Sequence, residues 1–200
     1  RHTDRWTRVA AEREEKRPND FNFRENCGPQ NIPNDCVKPI HFFMLFFNME
    51  LLNSICIESN RYAKQFHENY LHKLAAGIPR SKTFDRLWKW WSETGGMTVE
   101  RVKAFLGLLL NMCLVWKPCM KDYWNQKDYR QRTPGFPDVF SRDKFFFILK
   151  FFHFNDNSKA KKRGEQGYDP LFKVRPLLKH LVEKFQFFYN CLQYIKIGRA

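Results

Sequence analysis

No Cys-x-x-Cys pair occurs in this chain, although it holds six cysteines, at positions 27, 36, 56, 113, 119 and 191. That spacing excludes the common zinc and dithiol patterns, and the nearest two, Cys113 and Cys119, straddle the break at Pro118. The cysteines read as reduced, mostly structural thiols of an intracellular protein. A glycine-rich phosphate loop and a nucleophile elbow are missing as well. Long apolar runs are missing too: the longest candidate tract, Ala104 to Trp116, is far short of the ~20 residues a spanning helix needs. The first twenty residues are charged throughout and contain no signal-peptide core. The chain opens on Arg1 rather than methionine, as a fragment or trimmed product does. Negative charge is scarce: 21 acidic residues stand against 35 Lys and Arg, a formal net charge of +14. That balance points to polyanionic partners, nucleic acid before an acidic membrane surface.

What the chain does hold is apolar and aromatic side chains. Of its 200 residues 43% are hydrophobic and 17% aromatic, enough for one well-packed domain or a large part of one. Residues 1–34 read as a tail, first Arg/Glu-rich and then rich in Asn, Pro and Gly, with nothing apolar to dock it. From Pro39 to about Glu68 the pattern is helical, with proline in the first turn; the run Phe42 to Phe47 alone also fits a strand, but its continuation favours helix. After Gly77-Ile78-Pro79, Trp88, Trp90 and Trp91 have two readings, a core cluster on one short helix or partly exposed rings on which bases stack. Thr98 caps the next helix, on which Val99, Val102, Phe105, Leu106, Leu109, Leu110 and Cys113 recur at three- and four-residue steps until Lys117-Pro118. The turn Asp122-Tyr123-Trp124 follows, and Thr133 to Pro137 forms a loop that packs one phenylalanine. Ser141 opens a further helix, its hydroxyl accepting from the first free amides, with Phe145, Phe146, Ile148, Leu149 and Phe152 as apolar faces. A last helix is expected from Asp169-Pro170 with Leu171, Val174, Leu178, Leu181, Phe185 and Phe188 along it, kinked or split at Pro176. Its apolar stripe suits either core or a dimer seam.

Several of these stretches together carry a resemblance. Thr98 to Leu110, Lys117-Pro118, Asp122-Tyr123-Trp124, Ser141 to Phe145, and His153-Phe154-Asn155-Asp156-Asn157, in that order and spacing, resemble the amino-terminal half of piggyBac-type transposases and the domesticated proteins derived from them. Ser59-Asn60-Arg61-Tyr62-Ala63 extends the likeness upstream, where relatives usually show Thr-Asn-x-Tyr-Ala, and Asp169-Pro170-Leu171 extends it downstream, so that it covers roughly Gly28 to Tyr189. The resemblance implies an all-α, mainly helical fold. Residues 35–190 would be the amino-terminal part of a DNA-binding and dimerisation domain without the RNase-H-like catalytic core, followed by a divergent end at 191–200. In that family acidic residues hold two metal ions about 4 Å apart, and the first catalytic aspartate comes soon after the helix that ends near Tyr189. Here no acidic residue follows Glu183. The chain is therefore expected not to be an enzyme, with the catalytic acids and a cysteine-rich zinc module lying beyond its end. It departs from the family at Arg101, where relatives usually have an acid, at Cys113, where they have glycine, and at Phe140, where they have methionine. Losing the acid removes a reciprocal cap at Thr98, at most ~1 kcal/mol, and these changes read as drift.

No other chemistry replaces the missing one. Asp122, Asp128, Asp138, Asp143, Asp156 and Asp169 all have caps, turns or solvated loops as explanations, His67 and His72 are five apart and face different ways, and His153 suits a core or hydrogen-bonding role better than a metal. No catalytic residue, metal ligand or cofactor is expected. Lys159, Lys161, Lys162 and Arg163 stand between Ser158 and Gly164 with no opposing acid until Glu165. They suit either a solvated loop, DNA phosphate contacts joined by Lys173 and Arg175, or a nuclear-import signal. The expected function is a transposon-derived, nuclear, catalytically inactive protein on double-stranded DNA, without a membrane or small-molecule partner. The alternatives are a dimerisation fragment, pairing with itself or with a related transposase-derived protein, and the non-catalytic front part of a longer transposase.

Overall fold

The computed structural model describes residues 27–126, 129 and 132–190. The tail before residue 27, Asp128 and the divergent end 191–200 lie outside the described residues. What is described is mainly helical: α1 (Pro39–Phe46), α2 (Met49–Ala75), α3 (Lys82–Glu93), α4 (Val99–Leu114), the short α5 (Phe136–Val139), α6 (Arg142–Phe151) and α7 (Arg175–Phe188). Short 3-10 turns cover Met120–Trp124 and Asn157–Lys159. No single helix among the described residues is long and apolar enough to cross a membrane.

The chain divides into two compact units. In the first, β1 (Gly28–Pro29) pairs antiparallel with β2 (Tyr189–Asn190), Gly28 opposite Asn190. Gln30 N donates to Phe188 O at 2.9 Å, and Asn31 Nδ2 to Phe187 O at 2.8 Å. Residues 28–31, which composition assigns to a tail, thus have partners on residues 187–190.

The second unit, Pro33–Phe185, holds the core. Helix α2 packs along α4 and α6, and α3 packs on α6. The one helix expected from Pro39 to Glu68 is two, meeting at 60°. Asn48 makes the break, because its side-chain oxygen accepts from Leu51 N at 3.0 Å and so caps α2 as a new helix. Helix α2 then runs on to Ala75. Thr98 caps α4 as expected, accepting from Arg101 N at 3.3 Å, and Val102, Phe105 and Leu108 face inward. At α6 the boundary is right and the device is not: Ser141 is the N-cap, but its side chain makes no capping bond. The inward face of α6 is Phe145, Phe147, Ile148 and Phe151, with Leu149 turned to solvent. Pro176 neither kinks nor splits a helix. The segment from Asp169 is a series of turns, and α7 begins at Arg175, which puts Pro176 in its first turn, where a missing N–H costs nothing.

Aromatic side chains fill the core. Phe105 meets Phe145 at 5.0 Å between centroids, and Phe151 meets Phe66 at 5.4 Å, Tyr62 at 6.0 Å and Trp91 at 5.7 Å. Tyr123 and Trp124 fasten the turn after α4. The Tyr123 hydroxyl lies 2.7 Å from Val115 O, at the carbonyl end of that helix, and Trp124 Nε1 donates to Phe140 O at 2.7 Å. Phe136, the one phenylalanine expected to pack in its loop, is 2% exposed and stacks on Tyr123.

The connection between α3 and α4 is held from α2. Asn60 Oδ1 accepts from Met97 N at 2.7 Å while its Nδ2 donates to Met97 O at 3.0 Å. Gly96 has a left-handed φ of +67, and a Cβ there would collide with Asn60 Oδ1. Gly95 is also left-handed, but a Cβ there meets nothing nearer than Thr98 Cγ2 at 3.9 Å. Gly96→Ala is expected to cost about 1–3 kcal/mol, with backbone strain and the loss of the Asn60 seat acting together, and Gly95→Ala clearly less. Urea unfolding of the two variants measures the difference, and equal stability would remove the Asn60 contact as the cause.

Candidate nucleic-acid interface

The cationic loop is built from the segment that follows α6. Asp156 Oδ1 accepts from Ser158 N at 3.0 Å and from Ser158 Oγ at 2.8 Å, an Asx-type turn that opens the loop. Asp156 Oδ2 also lies 3.6 Å from Arg61 on α2, and Asn155 Nδ2 donates to Phe172 O at 2.8 Å, which ties the loop's entry to its exit. The Asp156 carboxyl is held below the usual range, first by the Ser158 hydroxyl and amide and last by the charge of Arg61.

Within that frame the six expected phosphate contacts separate. Lys161 Nζ donates to Gln166 O at 2.7 Å and bridges the loop. Lys162 N donates to Glu165 Oε2 at 2.9 Å, leaving its ammonium outside. Lys159, Lys162 and Arg163 are exposed, and their side chains form no ion pair among the described residues. Lys173 is exposed and its charge reaches His153. Arg175 is already engaged: Nε and Nη2 fork onto Asp169 at 2.7 and 2.6 Å, which raises the pKa of the guanidinium and depresses that of the carboxyl.

The tryptophans pack on α2, α4 and α6. Trp91 is 3% exposed and meets Phe147 edge-on, so its ring belongs to the core. Trp88 is half-buried and one face is taken by His67, stacked at 4.0 Å and 7°. Together with Asn60, Lys64, Ser92, Gly95 and Gly96, these two rings line a cavity of about 350 Å³. Trp90 is half-buried under the Arg101 guanidinium, 4.6 Å from the ring centroid. Arg101, which sequence reasoning took for drift, thus has a defined place. A basic residue in the first turn of a helix, ten residues after Trp91 across the Gly95-Gly96 connection, is the signal the sequence offers.

The residues that carried the family resemblance prove to be fasteners. Ser59 is fully buried; its hydroxyl accepts from His153 N at 3.1 Å and lies 3.4 Å from His153 O. Tyr62 stacks on the His153 ring at 3.7 Å. Ala63 is fully buried, and Asn60 holds Met97. Among the described residues no group of three or more His, Cys, Asp or Glu is placed to hold a metal ion. Of the five described cysteines none is in a disulfide; Cys27, Cys113 and Cys119 are exposed, and Cys36 and Cys56 are half-buried.

A family model described as transposase IS4 matches residues 38–199. The chain belongs to the IS4/piggyBac-type transposase family. It is 27% identical to the human PiggyBac transposable element-derived protein 5 over 163 residues, which is 82% of this chain and 26% of that protein. With the human PiggyBac transposable element-derived protein 2 the figures are 25% over 158 residues, 78% and 21%. The chain therefore spans about a quarter of the length of these curated relatives. No solved structure matches it. The transposase match takes in α1 to α7.

Burial sets a pH dependence on this transposase-family fold. Desolvation lowers the pKa of His153, with the charge of Lys173 adding to it, and desolvation also lowers that of His67. Both imidazoles then bind fewer protons folded than unfolded, so the stability they contribute is present above the unfolded pKa of ~6.5 and is lost as pH falls from there toward the folded values. Urea unfolding at pH 7.5 and 5.5 is expected to show lower stability at the acid end. In His153→Gln that difference should shrink. An unchanged slope would remove His153 as a source.

Proposed function

We propose that this chain is a transposase-derived DNA-binding region, catalytically inactive in itself, that contacts the phosphates of double-stranded DNA in the nucleus through the loop after α6. The carrying observation is the loop's division of labour. Asp156, Ser158, Lys161, Glu165 and Gln166 hold it together, while Lys159, Lys162 and Arg163 face solvent without ion pairs among the described residues. Lys161 has a donor already taken by a backbone carbonyl, which leaves less of its ammonium free for a phosphate. Unanswered cations on a held loop are available to a polyanion, and the net charge of +14 supplies the long-range attraction. Lys173 extends the row, and Arg175 contributes after leaving Asp169, an exposed pair of small energetic weight. The inactive reading rests on the sequence, which has no acid after Glu183.

A second reading is favoured by a different surface. Leu114 and Trp116 at the end of α4 are 81% and 79% exposed, and Val182 and Phe185 on α7 are also open. Such faces suit pairing with another copy or a relative. Light scattering after size exclusion separates the readings: a dimer that persists in high salt and ignores DNA belongs to the second.

For the first, the triple variant Lys159→Glu, Lys162→Glu, Arg163→Glu is expected to weaken duplex binding strongly at low salt. It should also flatten the dependence of log affinity on log salt by about 0.9 for each phosphate that the chain no longer neutralises. Lys161→Gln is expected to loosen the loop with a smaller effect on the salt slope. Fluorescence anisotropy across a salt series reads both, and a triple variant with the parent slope would take the loop out of the interface.

A further inference from the structure

Away from the loop, the cavity of about 350 Å³ between α2 and α3 falls at the low end of small-ligand pockets, ~300–1,000 Å³. Trp91, which lines it, is 3% exposed, yet its Nε1 donates to no acceptor among the described residues. The unpaired side-chain atoms that are also shut from solvent are Arg101 Nη1, Thr133 Oγ1, His153 Nδ1 and Asn157 Oδ1. The Trp91 N–H is not one of them: it is unpaired but open. A Cβ on Gly96 would stand 3.1 Å from Nε1, and Gly96 lines the same cavity, so the N–H opens onto it. A donor on a buried ring is costly to leave without an acceptor.

The rest of the lining narrows what could complete it. Lys64 on α2 is exposed and forms no ion pair among the described residues, and no acid lines the cavity. Glu93, next to Ser92, is turned to Lys89 at 3.8 Å. Asn60 has both its polar groups on Met97, and the Ser92 hydroxyl donates to Lys89 O at 3.0 Å. Trp88 gives one face to His67, and its ring also borders the cavity. Gly95 and Gly96 close one side without side chains, at φ values of +78 and +67 that disfavour other residues. Left to a ligand are two indole surfaces, one N–H donor and one ammonium.

We infer that this cavity takes a nucleotide, its base against the indoles of Trp88 and Trp91 and its phosphate on Lys64. Each open group then has a counterpart. The flat base covers aromatic surface, its ring nitrogens and carbonyls accept from Trp91 Nε1, and the phosphate meets the ammonium. A plain hydrocarbon would leave the N–H and the ammonium unpaired, and a sugar phosphate without a base would leave the indoles bare. The nucleotide is either free or an unpaired nucleotide of a nucleic acid. The second source rests on the DNA-binding reading above, and the first does not.

The test uses the whole chain with two variants: Ser92→Phe, which sets a ring into the cavity from an exposed position, and Lys64→Gln, which removes the cation. The deoxynucleoside monophosphates, deoxyribose phosphate and benzoate are titrated by calorimetry, with tryptophan emission followed in parallel. At least one monophosphate is expected to bind the parent and perturb its emission. It should lose about tenfold or more in affinity in Ser92→Phe and about fivefold in Lys64→Gln. DNA duplexes with and without a single unpaired nucleotide then separate the sources. A parent preference for the unpaired nucleotide that Ser92→Phe abolishes assigns a nucleic acid. Monophosphate binding without that preference assigns a free nucleotide, and it upholds the site even where the parent ignores every duplex and the DNA reading fails. No monophosphate binding to the parent at millimolar concentration overturns the site, as does unchanged affinity in either variant, or deoxyribose phosphate or benzoate binding as tightly. Should Ser92→Phe fail to fold, Lys64→Gln and the two control ligands decide on the same terms.

Discussion

One face of α2 holds the second unit in register. Over five residues, Ser59 to Ala63, the helix seats two segments far away in the chain: Asn60 takes both backbone groups of Met97, and Ser59 takes the backbone of His153. Buried backbone groups without partners are costly, and neither segment lies in regular structure that would supply them. Side chains of α2 do so instead. Tyr62 and Ala63 add packing on the same face, Tyr62 by stacking on His153 and Ala63 by being small enough to vanish. Once Met97 is seated, α4 starts where Thr98 can cap it; once His153 is seated, α6 ends where Asn155 and Asp156 can open the cationic loop.

That dependence explains which parts of the fold were legible in the sequence. Helix α4 was, because its cap and its three- and four-residue steps are local signals, and the mainly helical class follows from the same kind of evidence. Helix α7 starts at Arg175 rather than at Asp169-Pro170, since an Asp-Pro start looks alike whether it opens a helix or a turn; here Asp169 Oδ1 accepts from Leu171 N at 2.9 Å, which closes a turn. The split at Asn48 was also missed: an asparagine inside an apolar run reads as an interruption, and only the chain's change of direction makes it a cap. The inward face of α6 was read partly wrong because every position from Phe145 to Leu149 is apolar, so periodicity has no contrast to work with.

The candidate interface was legible as composition but not as geometry. Four cations in five residues are visible in the sequence. That Lys161 crosses to Gln166, and Arg175 to Asp169, depends on turns the sequence only hints at with Gly164 and Gly167, both left-handed here. The tryptophan cluster shows the reverse. The core reading holds for Trp91, while Trp88 and Trp90 are rings covered on their faces by His67 and by cations.

The same stretch of α2, on its other side, bears on how charge is distributed over a fold of this family. Arg61 sits in the middle of the fastening residues, and its guanidinium meets Glu58 at 2.7 Å and Asp156 at 3.6 Å. One of the acids that could have neutralised the loop is therefore turned inward, toward α2. Asp169 is likewise spent on Arg175, and Glu165 on a loop amide. Each acid near the loop is used to shape the chain, and the cations between them are left uncompensated. A loop whose neighbouring acids serve the fold in this way keeps uncompensated cations on a backbone tied at its entry and exit, and such cations have less ordering to do before they meet an anion.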